Sequence, residues 1–246
     1  SRPDSKPTGA FSLVELLVVV GLIAVLAVLV TPAMTALKGA GDISKAAYDI
    51  AGALEQARGY AMANNTHVWV GFREENGSGS GAGDGRVLIA TVASKDGTII
   101  SETAGALPAS RINQLRYAKI DNVHLADLGS PTTGNQQGGL RTRPETPYTY
   151  PDPETSNYNR ISSDPPSNTV ISPCPFTSRN AVFNKTILFT PRGEANVTGP
   201  SQPYILRPII EIGLRPTRGS AVDTKTTNIV AIQLTGIAGN VNLYRP

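Results

Sequence analysis

The chain is short of the residues from which most active sites are built. Of its 246 residues, one is cysteine (Cys174) and two are histidine (His67 and His124). A single cysteine excludes an intrachain disulfide framework and any cysteine-cluster zinc site. Two histidines leave little for a histidine-based metal or hydrolase centre. Charge is scarce as well: 17% of residues are Asp, Glu, Lys or Arg, against about a quarter in an ordinary soluble chain. The 22 Lys and Arg exceed the 19 Asp and Glu by three, too small an excess to imply nucleic-acid binding by itself. There is no His-Glu-x-x-His pair and no glycine loop ending in Gly-Lys-Ser/Thr. Serines without a partnered His/Asp motif are uninformative. These absences point away from an enzyme, and no cofactor or metal is expected.

What is present is concentrated at the start. Residues 11–30, FSLVELLVVVGLIAVLAVLV, form a 20-residue apolar run with one charge, Glu15. As a helix, a run of that length reaches about 30 Å, the thickness of a bilayer core. A secretory signal peptide has a shorter apolar region, no acid within it, and small residues before its cut. Here the acid lies near the start of the run and Thr31-Pro32 follows it. A buried core helix fits a terminal run of this length less well than a membrane does. Arg2 and Lys6 against Asp4 in the preceding SRPDSKPTGA give a weak positive bias, which favours a cytoplasmic N-terminus. An acid one turn into a spanning helix costs up to ~3 kcal/mol, so Glu15 is a functional candidate unless it merely snorkels to the headgroups.

The stretch GAFSLVELLVVVGLIAVLA resembles the N-terminal motif of type IV prepilins and of type II secretion pseudopilins. Gly9, Ala10, Phe11, Ser12, Leu13, Val14 and Glu15 supply its small residue, Phe and Ser/Thr-Leu-x-Glu, and Pro32 stands where that family has a proline below the membrane segment. The likeness covers roughly residues 9–35. One departure is Ala10, which intervenes between Gly9 and Phe11 where the family usually has Gly directly before Phe. The family spacing to the acid places the cut between Ala10 and Phe11; a cut after Gly9 would shift Glu15 by one position. The resemblance implies that a prepilin peptidase/methyltransferase removes residues 1–10 as a leader and N-methylates Phe11. It also implies that Glu15 pairs with the new amine of a neighbouring subunit. Buried alone, each charge would be costly, whereas together they attract strongly. Pro32 removes a helical N–H and is expected to break or weaken the helix, with Gly21 a second soft point.

The helical pattern continues to about Asn64. Leu37, Ala47, Ile50, Leu54, Ala57 and Ala61 approximate one face, and Lys45/Asp49 and Glu55/Arg58 have the spacing of exposed ion pairs. Beyond it the chain reads as strands. Residues 67–73 alternate, with Val68, Val70 and Phe72 on one side and His67 and Trp69 on the other. Residues 86–93 form a second strand, and the glycine-rich stretch between them reads as a flexible hairpin loop with Asp84 as its one acid, too little for calcium. Residues 131–175 hold nine prolines and read as a surface insertion without helix or continuous sheet. Within it Tyr148, Tyr150 and Tyr158 read as pins against the head, and Cys174 as a buried or idle thiol. Order returns after Ala181: a hairpin around Pro191-Arg192-Gly193 joins residues 186–190 to 194–198. Strands follow at 205–214 and 228–234, the latter joined by a turn to 240–244. ALEQARGYAMANNTHVWVGF and the closing hairpins also resemble H-type pseudopilin and FimT-like heads. A narrower likeness is to the Verru-Chthon cassette protein D family.

The expected fold is α+β and pilin-like: a long N-terminal transmembrane α-helix packed on an antiparallel β-sheet head. The expected organisation is a leader at 1–10, a helix at 11–64 (transmembrane at 11–30), and a β-rich head at 65–246 with its insertion at 131–175. The expected function is that of a minor pilin or pseudopilin of a type IV pilus or type II secretion system. Its partners would be the processing peptidase, other pilin or pseudopilin subunits and the bacterial inner membrane. It would be single-pass with the N-terminus cytoplasmic and the head periplasmic, reaching an extracytoplasmic pilus or pseudopilus. Two rivals stand beside this reading. One is a DNA-binding minor pilin for DNA uptake, because residues 182–246 carry seven Lys/Arg against three Asp/Glu. The other is a membrane-anchored adhesin or enzyme that never polymerises.

Overall fold

The computed structural model describes residues 12–77, 83–100, 107–128, 160–161, 175–197 and 209–246; for residues 29–40 it describes the backbone alone. The leader, Gly9, Ala10 and Phe11, most of the proline-rich insertion with its three tyrosines, and Cys174 lie outside the described residues. The backbone is helical over α1 (Leu13–Ala63). Two compact units divide within that helix, Ser1–Gly39 and Ala40–Pro246.

In the second unit, α1 is amphipathic. Ile43, Ala46, Ala47, Ile50, Ala53, Leu54, Ala57 and Ala61 are all at most 2% exposed, and their spacing of three and four residues keeps them on one stripe. Five of them are alanines, which carry little bulk beyond the backbone and let the sheets approach the helix closely. Ile43, Ile50 and Leu54 supply the larger apolar burial, about 1.5–3 kcal/mol each. The pair Glu55–Arg58 forms at 3.6 Å.

Among the described residues thirteen strands follow: β1 (Val68–Asn76), β2 (Gly85–Ser94), β3 (Ile112–Asp121), β4 (Val123–Leu125), β5 (Arg160–Ile161), β6 (Phe176–Ser178), β7 (Ala181–Phe183), β8 (Lys185–Phe189), β9 (Ala195–Asn196), β10 (Ile209–Arg218), β11 (Ala221–Val222), β12 (Val230–Thr235) and β13 (Val241–Tyr244). One sheet has the order β3-β2-β1-β8-β9 and is antiparallel throughout. A second has the order β11-β10-β12-β13, with β4 antiparallel and β5 parallel to β10. β6 and β7 form a separate hairpin, turned at Arg179 and Asn180 with φ of +47° and +63°.

The alternation of β1 decides the layering, because successive side chains of a strand point to opposite faces. Val68, Val70 and Phe72 join the helix stripe and Ile210, Ile212, Leu214, Ile232 and Leu234 of the second sheet in the main core. Trp69 faces the other way, into a smaller core with Leu88, Val92, Phe176, Phe183 and Leu188. The first sheet is therefore covered on both faces. At Gly71 the covering hairpin comes so near that an added Cβ would stand 2.7 Å from Phe176 Cζ and from Phe183 Cβ. Glycine is required there by space, and at Gly193 (φ +82°) by the turn between β8 and β9.

These findings correct the expected architecture. The described chain is dominated by antiparallel β-structure, in two sheets and a hairpin rather than one sheet beneath a membrane helix. Among the described side chains of α1, those in the core of the second unit run from Ile43 onward. Among the described residues, no helix is long and apolar enough to cross a membrane, which fits poorly with the expected single-pass placement. The backbone of α1 is helical through position 32, so Pro32 does not end it. A smaller correction concerns the insertion: Ile161 is fully buried and pairs in parallel with β10, so part of that stretch belongs to the core. The hairpin β8–β9 and the strands β10, β12 and β13 fall within a few residues of their expected positions.

Candidate assembly surface and a three-residue cluster

The first unit carries the motif residues. From position 13 to position 28, twelve large apolar side chains are exposed, from Val19 at 51% to Leu13 at 80%. They lie on every side of the helix. A helix apolar all round is stable in water only when something else covers it. Gly21, in its middle, has nothing within 4 Å of where a Cβ would stand, so this position is open to a close-approaching neighbour.

Ser12 and Glu15 sit at the head of this helix and satisfy each other. The Glu15 backbone N–H donates to Ser12 Oγ at 3.2 Å, and the Ser12 backbone N–H donates to Glu15 Oε2 at 3.3 Å. The Ser12 hydroxyl also donates to Glu15 Oε2 at 3.4 Å. This is a capping box, in which two helix-end donors find partners reciprocally. An acid in the first turn also complements the helix dipole. The signal was in plain view as Ser-x-x-Glu before an apolar run, but those letters belong equally to the processing motif. Of the other motif residues, Leu13 is exposed within the apolar stretch, whereas Gly9, Ala10 and Phe11 are not described.

Among the described basic residues of the C-terminal region, three are held within the fold. Lys185 and Arg215 are 7% and 4% exposed. Arg215 donates to the Thr224 carbonyl at 3.0 Å, and burial lowers its pKa. Arg245 is held at Ser44 Oγ, 2.9 Å away, and lies over the Tyr48 ring.

A cluster that sequence reading did not assemble lies where the two sheets meet in the second unit. Glu74 is near the end of β1, Asp84 directly precedes β2, and His124 is the middle residue of β4. The backbone brings them together in three steps. Gly77 N–H donates to the Asp84 carbonyl at 2.9 Å, extending the β1–β2 pairing. Asn122 N–H, at a φ of +62°, donates to the Gly85 carbonyl at 2.8 Å. The chain then leaves the first sheet and β4 pairs with β10 of the second. His124 Nδ1 stands 3.0 Å from Glu74 Oε1 and 3.3 Å from Asp84 Oδ1. Glu74 Oε1 also accepts from the Leu125 backbone N–H at 2.8 Å. Burial works against a charge on the imidazole, but the hydrogen bond and charge of Glu74, with the charge of Asp84, outweigh it and raise the His124 pKa; Arg215 opposes them. His67, the other histidine, lies apart and contacts the Gly97 carbonyl through Nδ1 at 2.9 Å.

Comparison with protein-family models, with curated proteins and with solved structures returns no match for this chain. The functional reading therefore rests on the residues themselves.

Proposed function

We propose that this chain is a structural, pilin-like subunit of a type IV filament or type II secretion pseudopilus. It is cleaved between Ala10 and Phe11 by a prepilin peptidase and assembles with other pilin or pseudopilin subunits through residues 13–28. The observation that carries this reading is the helical stretch whose twelve large apolar side chains are all at least half exposed. Covering even half of that surface is worth on the order of 10 kcal/mol, and the apolar helices of neighbouring subunits are the cover that the motif at its head implies. Glu15, engaged with Ser12 in the isolated chain, exchanges that partner for a neighbour's amine during assembly. No catalytic role is assigned to any residue.

The test is chemical. Intact-mass analysis of the chain from cells with an active prepilin peptidase is expected to show a start at Phe11 with one added methyl group. Sheared extracellular filaments or crosslinked pseudopili are expected to contain it. A chain that keeps residues 1–10 beside an active peptidase, or that never enters assemblies after correct cleavage, would refute the proposal.

A further inference from the structure

Glu74 is under-used by hydrogen bonding alone. Its side chain is 7% exposed. Oε1 is held by His124 and Leu125, but Oε2 is buried and has no hydrogen-bond partner among the described residues. A carboxylate oxygen taken out of water without a donor is destabilising. Two further ligand-type atoms stand close by, His124 Nδ1 and Asp84 Oδ1, and the ligand atoms of the three residues lie within 4.8 Å of one another.

We propose that Glu74, Asp84 and His124 form a structural site for a divalent transition-metal cation, zinc foremost, that clasps the β1–β2 end of the first sheet to β4 on the second. The spacing suits a small cation. Bonds of about 2.0–2.2 Å to nitrogen and oxygen in tetrahedral geometry place neighbouring ligand atoms roughly 3.3–3.5 Å apart. The observed separations from Nδ1 are 3.0 Å and 3.3 Å. Two carboxylates neutralise the charge of a divalent ion, and the imidazole remains neutral. The imidazole ligand also selects the metal: zinc accepts nitrogen donors readily, whereas calcium and magnesium take oxygen. Asp84, with 43% of its side chain exposed, leaves a solvent side from which water completes the coordination. Glu74 is positioned in advance by the Leu125 N–H, the outer hydrogen bond expected of an ordered metal ligand. Arg215 adds an opposing charge, and its guanidinium donates to the Thr224 carbonyl.

The experiment uses the full-length chain in mild detergent, stripped with EDTA and titrated calorimetrically with zinc, calcium or magnesium chloride near pH 7.5. Zinc is expected to bind one to one with micromolar or tighter affinity and to raise the unfolding temperature by several degrees. Magnesium and calcium are expected to give no comparable heat. Asp84→Asn, at an exposed position, keeps the fold and should weaken zinc tenfold or more; His124→Gln should abolish binding. If His124→Gln fails to fold, Asp84→Asn alone decides. Absence of zinc binding overturns the proposal and leaves a proton clasp between His124 and the two carboxylates. Binding unchanged in Asp84→Asn overturns it by placing the metal elsewhere, and a preference for calcium overturns the assigned class.

Discussion

Two substitutions at the head of α1 separate the observed Ser12–Glu15 cap from the ion pair proposed for Glu15. Glu15→Gln removes the charge but keeps a side-chain oxygen that reaches back to the Ser12 N–H, since glutamine serves at this position of a capping box as well as glutamate. Ser12→Ala does the opposite: it deletes the hydroxyl that accepts from the Glu15 N–H at 3.2 Å and leaves the charge. Loss of the cap costs about 1 kcal/mol of helix stability, a few-fold effect at most. Loss of the charge is a larger perturbation in an assembly. Under the proposed pairing it strands a neighbour's ammonium in an apolar bundle, at ~3–5 kcal/mol for a broken buried pair, or more than a hundredfold in association. Glutamine also forgoes the dipole term, ~0.3–1 kcal/mol, too little to alter that ranking. The assay is crosslinking of wild type, Glu15→Gln and Ser12→Ala to partner subunits at equal expression, with leader cleavage measured in the same samples. Glu15→Gln should be cleaved yet nearly absent from assemblies, while Ser12→Ala should assemble close to wild type. Equal incorporation of Glu15→Gln, with a defect only in Ser12→Ala, would show that the acid is no more than a cap.

Other outcomes follow from the head. Gly71→Ala places a methyl 2.7 Å from Phe176 Cζ and Phe183 Cβ and should lower stability by ~1–3 kcal/mol through overpacking, read from urea denaturation; a neutral result would mean that the β6–β7 hairpin moves aside freely. A fragment beginning at Ala40, where the second unit starts, should unfold cooperatively and stay monomeric by light scattering. A start after Ile43 removes a fully buried residue and should be measurably less stable. The raised pKa of His124 fixes a sign in EDTA: its stabilising charge is fully present below the ordinary value of about 6.5 and is lost as pH rises through the higher folded value. The gap in melting temperature between the wild type and His124→Gln should therefore narrow from pH 6 to pH 8, and a gap that widens would contradict the Glu74 and Asp84 contacts.

Strands with a strong pattern were legible. The alternation of Val68, Val70 and Phe72 against Trp69 appeared in the sequence and holds in the two cores, because each face of β1 meets a different apolar layer. β3 was missed because Asn113, Gln114 and Leu115 are exposed in succession on an edge strand and blur its period. β5 was missed because two residues in proline-rich surroundings show no pattern, and only the parallel pairing with β10 gives Ile161 its place. The Glu74–Asp84–His124 cluster was illegible for a different reason. His124 lies 50 positions from Glu74, and nothing local announces that the chain changes sheets at Asn122. The apolar run at 13–28 was plain in composition, whereas the Ser12–Glu15 cap was hidden by a motif that uses the same letters.

The place of β1 in its sheet sets a timetable for synthesis. Its Val68 pairs with Ala93 on one side and with Phe189 on the other. The first partner emerges soon after β1, but the second lies 121 positions downstream (189 − 68). At about 5–20 residues per second this is a wait of roughly 6–24 s. Once Ala93 has been made, and for the remaining 96 positions (189 − 93), the nascent β1–β2 hairpin shows an unpaired backbone edge, flanked by Val68, Val70 and Phe72, which have not yet met the second sheet. Such an edge is a template for the wrong strand. The vulnerable period ends only when β8 docks, so a ribosome stalled between β2 and β8 should yield a chain that chaperones hold and that aggregates when released.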